Sequence, residues 1–164
     1  MANINDIITE VIAEEGGAKV TNDLADAGKR TQYGISERSN PQAWLDGKVT
    51  EQEAREIYLS KYVVWPGYHR IPSSHAKTQA QLIDWGVNSG PGVATQKLQE
   101  ILKVKQDGVF GEKTLAALLG MDDRSLNNLL VAARVRMVGR IAQKNPSQIK
   151  FLSGWLERAL SFLT

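Results

Sequence analysis

The chain has no cysteine among its 164 residues. That excludes disulfides, thiol nucleophiles and cysteine-ligated metals, so folding does not depend on the redox state of the compartment. Histidine is nearly as scarce. His69 and His75, six positions apart and without a matched third ligand, argue against a zinc amidase, and neither a metal nor another cofactor is expected. No apolar run approaches the roughly 20 residues of a membrane-spanning helix. The first residues include Asp6 and Glu10 and lack both the basic leader and the long apolar core of a secretory signal. No glycine-rich strand-to-helix fingerprint or P-loop occurs, and no nucleic-acid partner is expected.

What is present suits a packed domain. With 42% hydrophobic and 23% charged residues, the chain can bury a core as one compact domain or as two small lobes sharing one. The formal net charge of +2 hides an asymmetry, with 9 basic and 11 acidic residues in the first 80 positions and 11 basic and 7 acidic in the rest. A basic half beside an acidic one suits an anionic polymer, although ordinary solvated surfaces carry such a bias too.

Helical spacing dominates. Asn3 caps a helix with Ile4, Ile7, Ile8, Val11 and Ile12 on one face, and Gly16-Gly17 stops it. From Ala18 to Ile35 the chain is rich in Thr, Asn, Asp and Gly and reads as a loop or small irregular hairpin. Thr50 and Glu53 form a capping box opening a helix with Ala54, Ile57, Tyr58 and Tyr62 inward. Val63 to Tyr68 should wrap the core. A further helix presents Ala76, Ala80, Ile83 and Val87, ending at Ser89-Gly90-Pro91-Gly92. Short helices follow at 93–102 and 113–119, separated by the turn Gln106 to Gly111. A long helix capped by Asp122 carries Leu126, Leu129, Leu130, Ala133, Met137 and Ile141, and a last one carries Ile149, Leu152, Trp155, Leu156, Ala159 and Leu163. The class is mainly α with a minor β element. Trp44, Trp65, Trp85 and Trp155 read as core anchors. The last helix is amphipathic enough to touch a membrane surface, but its expected role is to close the core, without stable insertion.

One carboxylate stands out. Glu15 follows Glu14 at a helix end released by two glycines, where it can be aimed into a cleft instead of along a helix. Glycosidic cleavage needs a proton donor for the leaving oxygen and a second polar group to stabilise the cation or hold a water. Glu15 suits the first role, while Asp26 and Thr31 could orient water if the chain doubles back. The bland alternative is a solvated helix end followed by a surface turn, and spacing alone does not decide.

The ordered set Glu15-Gly16-Gly17, Asn22-Asp23, Asp26-Ala27-Gly28, Thr31 and Tyr33-Gly34-Ile35 resembles the signature of glycoside hydrolase family 108. The resemblance continues through Thr50 to Tyr62, through Asp84 to Gly92, and through Leu98-Gln99, Asp107 to Gly111 and Thr114-Leu115. The latter group is similar to the family's peptidoglycan-binding region, and Gly154-Trp155 and Arg158 match as well. It implies a mainly α, α+β lysozyme-like fold and an N-acetylmuramidase, typically a bacteriophage endolysin, with Glu15 as catalytic acid. Similarity to the Glu, Asp and Thr set of phage lysozymes gives Asp26 and Thr31 the water-positioning role. Gly16, Tyr33, Gly34, Asn88 and Ser89 are the implied substrate contacts. Asn88 and Ser89 could equally end a helix, and Tyr33 could equally pack in the core. Two positions depart from the family pattern, Ala18 where an aromatic is usual and Lys29 where a second glycine is usual.

The expected organisation is a catalytic region over 1–90 and a helical region over 91–164 with the peptidoglycan-binding-like segment, packed into one compact unit and monomeric. Peptidoglycan is the implied partner. The protein would be made in the bacterial cytoplasm and act in the periplasm or wall, delivered by a holin or secretion machinery. A non-catalytic wall-binding or secretion-associated protein and a lytic transglycosylase are the alternative readings.

Overall fold

The computed structural model describes residues 3–22 and 30–164, which fall into two compact units, one ending at Trp65 and the other beginning at Pro66. Among the described residues the architecture is mainly α, lysozyme-like, with one small antiparallel sheet.

In the first unit, α1 spans Ile4–Glu14. Its apolar positions recur every three or four residues, and Ile7, Ile8, Val11 and Ile12 are buried. Asn3 accepts from the Asp6 amide while Asp6 accepts from the Asn3 amide, a reciprocal cap satisfying two otherwise orphaned donors. The stretch expected as a loop or hairpin holds a three-stranded sheet: β1 (Thr21–Asn22), β2 (Arg30–Gln32) and β3 (Ile35–Ser36), in the order β1-β2-β3. Its register pairs Thr21 with Thr31 and Gln32 with Ile35.

Strands this short carry few ladder bonds, so side chains fasten them. Arg30 makes a two-pronged ion pair with Glu37 at 3.1 Å and lies 4.8 Å over the Trp44 ring. Trp44 Nε1 donates to the Ile35 carbonyl at 3.2 Å, and the Gln32 side chain accepts from the Val49 amide at 2.9 Å.

Helix α2 (Glu51–Tyr58) opens on the Thr50/Glu53 capping box and runs without a break into a π-helical turn, Leu59–Val64. The segment expected to wrap the core from Val63 therefore begins as helix. Trp65 at its end is 77% exposed, not a core anchor.

The second unit is a helical assembly of α3 (Ala76–Ser89), α4 (Pro91–Leu102), α5 (Glu112–Leu119), α6 (Asp123–Lys144) and α7 (Leu152–Leu160). The stripe expected on α3 is only partly realised. Ile83 is buried, but Ala76, Ala80 and Val87 are half-buried, because α3 is covered on several sides at once. That surrounding buries polar side chains as well, including Gln79, Gln81 and Asp84.

Several of these buried polar groups have a structural use. Gln79 donates to the Tyr68 and Ile71 carbonyls at 2.9 and 3.2 Å. Gln99 donates to Asp107, Val109 and Thr114 and accepts from the Gly108 amide, so one buried amide shapes the whole Asp107-to-Thr114 turn. Gly108 takes φ +73°, and Phe110 is buried edge-on against Tyr68 with centroids 5.5 Å apart.

Asp84 is the strongest case. Its carboxylate lies 2.7 Å from Arg134 of α6 and 2.9 Å from Arg158 of α7, joining three helices through one charge cluster. The Arg134 guanidinium also stands 5.9 Å from the rings of Trp85 and Phe162. Burial pulls Arg134 below the ordinary arginine value, while the Asp84 carboxylate works against that fall.

The C-terminal segment also differs from expectation. It divides into a 3₁₀ stretch, Pro146–Phe151, and α7, leaving Ile149 and Leu163 more than half exposed. Leu129 of α6 is likewise exposed, since a 3.6-residue period marks a face without saying what covers it. No helix among the described residues is long and apolar enough to cross a membrane.

Removing the shared carboxylate would leave two cations in a low-dielectric interior. Asp84→Ala is therefore expected to cost about 3–5 kcal/mol, read as a lowered urea midpoint in equilibrium unfolding. An unchanged midpoint would show that the cluster contributes nothing net.

Candidate active site

Glu15 is the C-cap residue of α1, and the two glycines after it close the helix. Gly17 N–H bonds the Ile12 carbonyl at 3.1 Å and Gly16 N–H bonds the Ala13 carbonyl at 3.2 Å, the paired bonds of a Schellman termination. Both glycines have positive φ, +94° and +58°, and no described atom lies within 4 Å of where their Cβ atoms would stand. Their requirement is conformational, and the described residues leave the space beside them open.

The chain returns to this helix end through the β2–β3 turn. Tyr33 and Gly34 form the two-residue connection with φ of +51° and +73°, the pair of left-handed residues that a type I′ hairpin demands. Glycine adopts this freely, whereas a tyrosine is strained there. Both backbone polar groups of Tyr33 hold it in place. Its N–H donates to Gly17 O at 2.8 Å, and its carbonyl accepts from the Tyr58 hydroxyl at 3.0 Å.

Gly34 is also where Glu15 rests. A Cβ added at Gly34 would collide with the Tyr58 hydroxyl and stand 2.8 Å from Glu15 Cβ and 3.2 Å from Glu15 Cγ. The missing side chain at Gly34 thus gives Glu15 and Tyr58 the same small volume to share. Tyr62, four residues beyond Tyr58 and on the π turn, stacks at 5.7 Å from the Tyr58 ring. Burial first, and then the nearby Glu15 charge, push the Tyr62 phenol above its ordinary value. One carboxylate, two tyrosines and a bare glycine therefore make up one cluster.

The other residues singled out by sequence are distributed as follows. Thr31 is half-buried in β2, paired with Thr21 on one side and Ser36 on the other. Asp26 and Lys29 lie outside the described residues. Ala18, in the position of the usual aromatic, is exposed and accepts from the Gln32 side chain at 3.0 Å.

Asn88 and Ser89 belong to the second unit, at the end of α3. The Asn88 amide donates to the Asp84 carbonyl of its own helix at 2.8 Å, and Gly90 terminates the helix at φ +89°. Both residues nevertheless line a cavity of about 140 Å³ together with Arg134, Trp155 and Arg158. Sequence reading missed Tyr62 as a neighbour of the acid, although its i, i+4 spacing from Tyr58 was a visible signal.

Two substitutions test this cluster. Gly34→Ala introduces a clash and a strained dihedral at once. It should lower stability by about 1–3 kcal/mol, measured by urea unfolding. In Glu15→Gln the charge that disfavours tyrosinate is gone, so the Tyr62 pKa should fall while burial keeps it above that of a free tyrosine. A Tyr62 ring-carbon NMR titration reads this directly, and an unmoved Tyr62 curve would contradict the proximity.

Residues 8–90 match the family model described as glycosyl hydrolase 108, and residues 93–160 match one described as a predicted peptidoglycan domain. Among curated proteins none matches significantly. A solved structure, that of Brucella abortus SagA, is similar over 96% of this chain and 94% of that one, at 29% sequence identity and a TM-score of 0.69. Glu15, the turn it covers and Asn88 all fall within the first matched stretch, which takes in half of the chain. On that match the protein belongs to the glycosyl hydrolase 108 family, a glycoside hydrolase acting on peptidoglycan.

Proposed function

We propose that the chain is an N-acetylmuramidase that hydrolyses the β-1,4 bond between N-acetylmuramic acid and N-acetylglucosamine. The observation that carries the reading is the position of Glu15, fixed by a glycine-closed helix end and seated on Gly34. A carboxyl so held can be presented to a glycosidic oxygen without its own backbone in the way.

In this mechanism Glu15 protonates the leaving oxygen as the bond to the sugar breaks. Asp26 and Thr31 hold the water whose oxygen joins the anomeric carbon, and its proton passes to the Asp26 carboxylate. Open space at Gly16 lets the polymer approach the main chain. Tyr33 and Gly34 supply the adjoining surface, and Asn88 with Ser89 are assigned to N-acetyl recognition. No cofactor takes part. The division of labour we propose is catalysis by residues 1–90 and wall attachment by 91–164, in a monomer. The biological setting that suits this pairing is a phage endolysin, made in the host cytoplasm, reaching the wall through a holin or secretion route, and lysing the host cell.

Sacculi digested with the wild type and with Glu15→Gln, followed by mass spectrometry of the muropeptides, test the proposal. Hydrolysis should leave reducing muramic acid ends that disappear in the variant, while Glu14→Gln keeps full activity. Products with 1,6-anhydro ends would establish a transglycosylase, and intact sacculi that still bind protein would establish a wall-binding module.

A further inference from the structure

Helix α6 carries two opposite uses of arginine. Arg134 faces inward to Asp84, but Arg136, Arg140 and Lys144 follow at intervals of four on the exposed side. Like charges at i, i+4 repel, so a helix gains nothing for itself from this row. With Lys97 of α4 they surround a cavity of about 340 Å³. Its one acidic residue, Glu100, is already engaged by Lys97 at 2.7 Å. None of Arg136, Arg140 and Lys144 is ion-paired to another described residue. Lys97 first, and Arg140 and Arg136 at longer range, hold the Glu100 carboxyl below its usual range, so it stays charged near neutral pH and the surplus here is positive.

The floor is apolar. Ala133, Met137 and Ile141, which periodicity assigns to the core, are only half-buried and open into this cavity. A concave site with a soft floor and cationic walls suits a compact ligand bearing both small alkyl groups and carboxylates. Of the two parts of peptidoglycan, the N-acetylated glycan backbone offers neutral hydroxyls and amides, whereas the stem peptide offers carboxylates spaced by alanine methyls. All the cavity residues named here lie in the stretch matching a predicted peptidoglycan domain.

We propose that the α4–α6 groove is a binding site for the carboxylate-bearing stem peptide of peptidoglycan, with Arg136, Arg140 and Lys144 taking its carboxylates and Met137 and Ile141 its alanine methyls. The choice of ligand rests on the peptidoglycan reading above. The site itself needs no cleavage, so recognition of the peptide is separable from attack on the glycan.

The test uses the full chain and soluble N-acetylmuramyl tripeptide, a probe with no β-1,4 bond to cut, followed by isothermal titration and by NMR shifts of the α6 amides. Saturable binding is expected, with shifts centred on residues 133–144. Affinity should fall at least tenfold when the peptide carboxylates are converted to amides. It should fall by a similar factor in Arg136→Gln/Arg140→Gln and, separately, in Lys144→Gln, each with an unchanged urea midpoint. Equal binding of the amidated peptide, undiminished binding by the variants, or no binding at all would overturn the proposal. Tighter binding of a glycerol-phosphate oligomer would assign the groove to a phosphate polymer instead, and preference for an N-acetylglucosamine oligomer would assign it to the glycan. Because the probe is never cleaved, a failed sacculus digestion leaves this result standing, and a failed titration leaves the digestion standing.

Discussion

The bare Cα of Gly34 is the constraint on which the candidate site depends. A side chain there would meet both the Glu15 methylenes and the Tyr58 hydroxyl. Because nothing is there, the β2–β3 turn can lie against the end of α1, and the Tyr58 hydroxyl can reach the Tyr33 carbonyl. Tyr33 is strained by its left-handed conformation, yet its amide and carbonyl are both engaged, and the strain is thereby held in one geometry. The result is an acid whose position is set by backbone on one side and aromatic packing on the other.

The second unit is organised by a different principle, buried charge. Asp84 draws arginines from α6 and α7 into contact with α3. An apolar trio of the same volume can stabilise as well or better, so the cluster is weak evidence of extra stability. Its value lies in direction: Arg134 can satisfy Asp84 from only one helix rotation, and that rotation turns Arg136, Arg140 and Lys144 outward. The inward charge thus determines which face of α6 is left to solvent.

Much of this was legible in the sequence where local rules dominate. The Asn3 and Thr50 caps, the Gly16-Gly17 stop and the Asp122 cap depend on contacts within one turn, and they formed as those rules require. The type I′ turn was not legible, because Tyr33 is a poor left-handed residue whose strain is held by Gly17 and Tyr58, both distant in sequence. Gln81, Gln99 and Arg134 are of residue types that usually stay at a surface, and only their tertiary partners make burial possible. Conversely, Met137 and Ile141 read as core, since a hydrophobic period cannot distinguish a packed face from the floor of a groove. At the candidate site Glu15 and Gly34 could be named from sequence, but that they touch, and that Tyr62 joins them, is a property of the folded chain.

The sheet has two, three and two residues in its strands. So short a ladder opens at a small fraction of the free energy needed to unfold a helical core. Glu15, by contrast, is anchored in a helix whose apolar face is buried. The Glu15 carboxylate is therefore mounted on the stiffer of the two elements that meet at Gly34, the helix, and the short strands are the softer one. In the proposed function, movement of the strands would accommodate a polymer of irregular thickness while Glu15 keeps its place.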